Sequence, residues 1–162
     1  SPTFDWQLTN LKNYANLSPY AVKPIEIDDM VYSATGQGAG MVGLPGDSTP
    51  PSRFVKMAFL QKTALPVDTA EQAVVLSEHI IDNVFIPNGM VRNAKGTSGT
   101  ETTQWTVFKD LKNGKLYFKS YHFPSLQVID IKALDLGEGT TPTRVPVNHP
   151  APLAQDVTKE MK

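Results

Sequence analysis

Residues 36–53, GQGAGMVGLPGDSTPPSR, hold five glycines and three prolines ahead of one cation, Arg53. Gly38-x-Gly40-x-x-Gly43 matches the pattern that cradles a dinucleotide pyrophosphate. That chemistry needs a helix opening on the last glycine, so that its amino-terminal N–H groups meet the phosphates, and an acidic residue about 20 positions on. Gly43 is followed instead by Leu44-Pro45-Gly46-Asp47, a turn sequence. No Lys-Ser or Lys-Thr completes a phosphate loop of the other common kind. The run therefore reads as a tight bend whose backbone passes close to something bulky. A nucleotide-binding α/β domain stays as the weaker alternative.

Other residue types that do chemistry are sparse. His79, His122 and His149 lack metal-ligand spacing, and no metal site or cofactor is expected. Asp28 and Asp29 are adjacent; on a strand they would point to opposite faces, a poor arrangement for an acid/base pair. No G-x-S-x-G elbow occurs. With no cysteine there is no thiolate nucleophile, thiolate metal site or disulfide on this chain. Arg53 stands at a helix start, where a cation opposes the helix dipole, so spacing alone reads equally as a surface arginine.

The elements that must position these groups follow from periodicity. Phe4, Leu8, Leu11 and Ala15 predict a helix over 3–17 with Thr3 as cap. Residues 25–33 predict an extended segment or short strand. A second helix follows Pro50-Pro51 through SRFVKMAFLQK. A third spans 68–85, opened by a capping box of Thr69 with Gln72 or Asp68 with Glu71, its apolar stripe being Ala73, Leu76, Ile80 and Val84. Two strands around Asn113-Gly114 predict a tight hairpin with positive backbone angles, and residues 127–134 a further strand. From Gly137 the chain reads as an extended surface tail. The order is helix, extended piece, glycine loop, two helices, then antiparallel meander: an α+β fold without repeat or interior linker, hence one domain over 1–162.

The composition fits. The 162 residues are 40% apolar and 19% charged with a net charge of −1, which suits a globular core and gives a nucleic acid or an anionic membrane nothing to grip. No apolar run reaches transmembrane length, and no leader segment is visible. The start at Ser1-Pro2-Thr3, with Phe4, Trp6 and Leu8 at once, reads as a processed protein, a fragment or a trimmed form.

GLPGDSTPPSRF (43–54), together with SPTFDWQLTNLKNY (1–14), resembles the choloylglycine hydrolase and penicillin V acylase family, N-terminal-nucleophile hydrolases of linear amides. The resemblance extends over about residues 1–135, including the YFKSYHF strand, and matches only the carboxy-terminal half of a family member. It implies part of a four-layer αββα sandwich. It also implies that Arg53 is the catalytic-site arginine, and that the glycines deliver it into a buried pocket rather than bind phosphate. The family's nucleophile is an amino-terminal cysteine whose α-amine acts as base; both would belong to a missing amino-terminal segment, the implied partner. The family's Thr-Asn-x-Pro-Thr-Phe run is entered here at its x, so that its asparagine would precede Ser1.

The implied function is that of half an amidase for linear amides such as penicillin V, conjugated bile salts or N-acyl homoserine lactones, inactive alone. The alternative is a non-catalytic remnant that binds acyl compounds or a partner chain. Ser1 aligns with the family's interior and is not expected to serve as nucleophile. A half of this kind is expected to expose apolar faces and to associate, and the resemblance implies a homo-oligomer, a tetramer. FDWQLTNLKNY resembles Gram-negative members, which implies a periplasmic or secreted protein, with the cytoplasm as alternative.

Overall fold

The computed structural model describes residues 1–96 and 98–160. In chain order these form α1 (Phe4–Leu11), β1 (Ile25–Ile27), β2 (Met30–Tyr32), α2 (Pro50–Thr63), α3 (Ala70–Asp82), β3 (Val91–Arg92), β4 (Thr100–Glu101), β5 (Trp105–Asp110), β6 (Lys115–Ser120) and β7 (Gln127–Asp130). The mixture is α+β in the expected order. Two compact units divide it: Ser1–Val67 with Glu78–Phe85, and Asp68–Ser77 with the residues from Ile86 onward.

In the first unit, Thr3 caps α1, its Oγ1 accepting from Trp6 N at 3.4 Å. The helix is shorter than expected: α geometry stops at Leu11 and tightens into a 3-10 turn, Lys12–Tyr14. Asn10 and Asn13, linked side chain to side chain at 3.4 Å, belong to a residue type that competes with helical hydrogen bonding. The expected apolar stripe is largely open, Phe4 and Leu8 being exposed, and the buried residue of α1 is Gln7.

Residues 25–33 are a hairpin rather than one strand. Ile27 pairs with Met30, and Asp28 and Asp29 form the two-residue turn with φ of 50° and 63°. Both carboxylates therefore sit in a turn with left-handed backbone, not on a strand, because a two-residue hairpin link requires that conformation and Asp tolerates it. All six strand residues are exposed.

The glycine run is a bend. Gly38 and Gly43 have φ of 82° and 98°, bracketing a 3-10 turn, Ala39–Met41. Between them Gly40 lies against another stretch of backbone: a Cβ there would stand 2.4 Å from Tyr20 O and 2.6 Å from Ser18 O. Ser18 N donates to Gly40 O at 2.9 Å, tying the two segments together. No helix opens on Gly43; the next, α2, begins at Pro50.

Both prolines occupy the opening positions of α2, where the missing N–H groups would be unpaired anyway. Asp47 holds the loop before it. Its Oδ1 accepts from Thr49 N at 2.9 Å and from Thr49 Oγ1 at 2.5 Å, and its Oδ2 accepts from Ser52 Oγ at 2.6 Å. These bonds to the ionised form lower the Asp47 pKa from 3.8 to about 2, the Ser52 hydroxyl contributing most. Val55, 1% exposed, anchors α2 in its unit, and Phe54 meets Phe4 of α1 edge to face at 6.0 Å between ring centroids.

In the second unit the Thr69–Gln72 capping box forms: Gln72 N donates to Thr69 Oγ1, and Gln72 Oε1 accepts from Thr69 N, each at 3.2 Å, and from Asp68 N. The buried helix position is Val74 rather than the expected Ala73. The end of α3 belongs to the first unit: the helix stops at Asp82, three residues early, where Asn83 Nδ2 turns back to His79 O at 2.7 Å.

β5, β6 and β7 form an antiparallel sheet in that order. The β5–β6 link is a four-residue loop, since Asp110 pairs with Lys115. Only Gly114 has positive φ (72°), and Asp110 caps the loop by accepting from Asn113 N at 3.0 Å and Asn113 Nδ2 at 2.6 Å. β7 stops at Asp130 in a 3-10 turn, shorter than the expected 127–134. The small β3–β4 pair had no clear signal in the sequence. The tail is pinned at two places: Ser125 Oγ donates to Pro152 O, and Gln127 Nε2 donates to His149 O at 3.0 Å.

The Gly40 contact predicts that Gly40→Ala costs about 1–3 kcal/mol, since two backbone carbonyls must move to admit the methyl group. Gly36→Ala, with nothing within 4 Å of its Cβ, should be near neutral. Urea denaturation of the two variants checks the contrast. For Asp47, a folded-state pKa of about 2 against 3.8 means its contribution is complete above about pH 4 and fades as pH falls toward 2. Asp47→Ala should accordingly have a lower urea midpoint than the parent at pH 7, with the gap closing at pH 2; a gap independent of pH would remove the charge from the account.

Candidate active site

The candidate site lies in the first unit and is built on the start of α2. The Asp47–Thr49–Ser52 network fixes the turn entering the helix, and Arg53 N donates to Thr49 O at 3.0 Å, closing the first helical turn. This places Arg53 one residue beyond the hydroxyl that binds Asp47. Its side chain is half-buried, and its Nε is enclosed without a hydrogen-bond partner among the described residues. The Arg53 stem is thus packed as far as Nε, an arrangement that fits a surface arginine with its tip in water as well as a site arginine.

Asp47, the nearest carboxylate along the chain, has both oxygens engaged by Thr49 and Ser52. It supplies a negative charge at the amino end of α2, which suits the helix dipole and offsets the cation one turn in. An arginine held this way can do electrostatic work. It stays protonated, so it cannot be a base. It can stabilise a thiolate, an oxyanion or a carboxylate through its planar fork.

The remaining sequence candidates do not converge on Arg53. His79 lies exposed on α3, His122 exposed after β6 and His149 exposed in the tail, and Ser1 is exposed. No group of three or more histidines and carboxylates suited to a metal occurs among the described residues. Asp28 and Asp29 are committed to their hairpin turn. Sequence reading missed one contributor, Asp47, and the burial of a polar residue, Gln7. Asp47 looked like one turn residue among many, although its spacing to Thr49 and Ser52 was an available signal. Gln7, 6% exposed and with no partner for its Oε1 among the described residues, was hidden inside an apolar helix pattern; a lone amide three residues after Phe4 was the available clue.

The second unit holds an apolar cavity of about 180 Å³, lined by Trp105, Val107, Leu116, Phe118 and Ile129 of the sheet and by Val145 of the tail. No helix among the described residues is long and apolar enough to cross a membrane.

Comparison with known proteins agrees with the resemblance. Residues 1–149 match the family of linear amide C–N hydrolases called the choloylglycine hydrolase family. A bile salt hydrolase/transferase of Clostridium perfringens is 36% identical over 84% of this chain and 41% of its own length. A conjugated bile acid hydrolase of Lactobacillus gasseri is 37% identical over 67% of this chain and 33% of its own. Among solved structures, a mutant conjugated bile acid hydrolase from C. perfringens superposes with a TM-score of 0.76 at 32% identity, over 94% of this chain and 46% of that one. Penicillin V acylase from Agrobacterium tumefaciens superposes with a TM-score of 0.63 at 25% identity, over 86% of this chain and 37% of that one. The chain spans less than half the length of these relatives. Its α+β fold is part of the N-terminal-nucleophile hydrolase architecture that they share. The chain belongs to the choloylglycine hydrolase family.

Proposed function

We propose that this chain supplies the arginine of a linear-amide hydrolase, with Arg53 acting beside a cysteine nucleophile carried by a separate amino-terminal segment. The observation that carries this reading is the enclosed Arg53 Nε at the start of α2, in a chain of an amidase family. In the proposed reaction the thiolate attacks the amide carbonyl, the amine leaves and water hydrolyses the acyl-enzyme. Arg53 favours the thiolate over the thiol and orients the groups around it. The substrate class is an amide of the penicillin V, conjugated bile salt or N-acyl homoserine lactone type.

Partners are proposed on the same footing: the cysteine-bearing segment, the acyl-amide substrate and further copies of the chain in a homo-oligomer, a tetramer by resemblance. The exposed apolar side chains of the β1–β2 hairpin, Ile25, Ile27, Met30 and Val31 among them, support a covering surface of some kind. A periplasmic or secreted setting is proposed on the likeness to Gram-negative members, with the cytoplasm as alternative. A second reading, a non-catalytic chain that binds acyl compounds, draws support from the apolar cavity on the β5–β6–β7 sheet.

The test joins this chain to a cysteine-bearing amino-terminal segment of a family member and assays release of the amine from conjugated bile acids and penicillin V. Arg53→Lys should lower kcat by about 10²–10³, the scale for losing one preorganised electrostatic contact. Near-normal turnover in that variant would take Arg53 out of the site. If no assembly hydrolyses an amide while the chain alone gains thermal stability with acyl compounds, the binding reading prevails.

A further inference from the structure

Two enclosed polar atoms lack a hydrogen-bond partner among the described residues: Gln7 Oε1 and Arg53 Nε. They are complementary, since the amide oxygen only accepts and the Nε–H only donates. They also stand on the two helices that pack together in the first unit. Phe4 of α1 meets Phe54 of α2 at 6.0 Å; Gln7 follows Phe4 by one turn on the same face, and Arg53 borders Phe54 on α2, about 100° round the helix from it. Neither atom is open to solvent in this chain, and buried polar atoms of this kind are rarely left unpaired. Reversing the Gln7 amide would set two donors against each other, so the oxygen is the end that suits this position.

We infer that Gln7 is a positioning residue for Arg53: its Oε1 and the Arg53 Nε–H, which are not bonded to each other directly, are bridged by one enclosed water. The pairing ties the stem of the guanidinium to α1 and leaves both terminal nitrogens for an anion. It explains why an amide occupies the one buried position of α1, where packing alone would select an apolar side chain. Its functional meaning rests on the reading of Arg53 as the site arginine. The pairing itself does not.

Nitrogen-15 NMR of the arginine Nε–H groups tests it on the chain itself, which has three arginines. Arg92 serves as a bonded reference, its Nε donating to Gly89 O at 2.8 Å, and the exposed tail residue Arg144 as the solvated reference. Arg53 Hε should exchange with water more slowly than that of Arg144 by about tenfold or more, the scale of a hydrogen bond to a charged group. Gln7→Leu should abolish the protection, and Gln7→Glu, which keeps an acceptor oxygen, should retain it. Exchange as fast as Arg144 in the parent chain, or protection unchanged in Gln7→Leu, overturns the pairing. Should Gln7→Leu fail to fold, all arginine signals collapse together, and the parent chain with Gln7→Glu decides. In the assembled enzyme, Gln7→Leu should lower kcat with KM held; protection lost with turnover unchanged overturns the positioning role. An assembly that is inactive with Gln7 and Arg53 both in place counts against the amidase reading, while the exchange comparison still decides the pairing.

Discussion

A guanidinium can be drawn partly out of water only if the backbone beneath it has no freedom to let it back out. In this chain that constraint is the Asp47 carboxylate. It gathers Thr49 and Ser52 into a closed set of hydrogen bonds ahead of α2, and Arg53 is the next residue. Two prolines in the first turn remove backbone freedom that the unfolded chain would otherwise hold. Upstream, Gly40 lets the loop lie against the backbone of Ser18–Tyr20, which a larger residue would forbid. Each part would be ordinary alone. Together they fix where one cation stands.

An anion site and an arginine-presenting loop differ in what closes the helix end. A phosphate cradle uses the N–H groups of a helix amino terminus as its donors. Here the amino end of α2 is closed by two prolines and an aspartate, which leaves little for a phosphate and repels it besides. The formal glycine pattern at 38–43 arises because Gly38 and Gly43 need left-handed backbone and Gly40 needs close approach. Glycine spacing reports backbone need, and several needs give the same spacing.

Much of the fold was legible because local rules and tertiary context agree. The Thr69–Gln72 box, the prolines opening α2 and the β5–β6 meander all form where side-chain chemistry and hydrophobic period point the same way. The misses occur where a side chain rewrites a turn. Asp110 binds Asn113 and converts an expected two-residue hairpin into a four-residue loop, while the true two-residue turn falls at Asp28-Asp29, residues less favoured there than Asn-Gly. The site was half legible. Arg53 stood out only through resemblance, since a lone arginine at a helix start has no periodic signature. Gln7 was invisible because helical periodicity scores an amide as an interruption of a stripe, whereas the structure buries it and exposes Phe4 and Leu8. Apolar side chains exposed on α1 and the β1–β2 hairpin cannot be predicted from period at all, because the period says which residues share a face and not what covers it.

The proposed site depends on Arg53 lowering the pKa of a cysteine brought beside it. The direct measurement is the pH dependence of alkylation of that cysteine, in an assembly of this chain with a cysteine-bearing amino-terminal segment, compared between the parent and Arg53→Met. A cation within contact distance favours the thiolate, so the midpoint should rise by about one unit or more when the charge is removed. Identical midpoints in the two proteins would mean that Arg53 does not face the nucleophile, and the proposed site would be wrong.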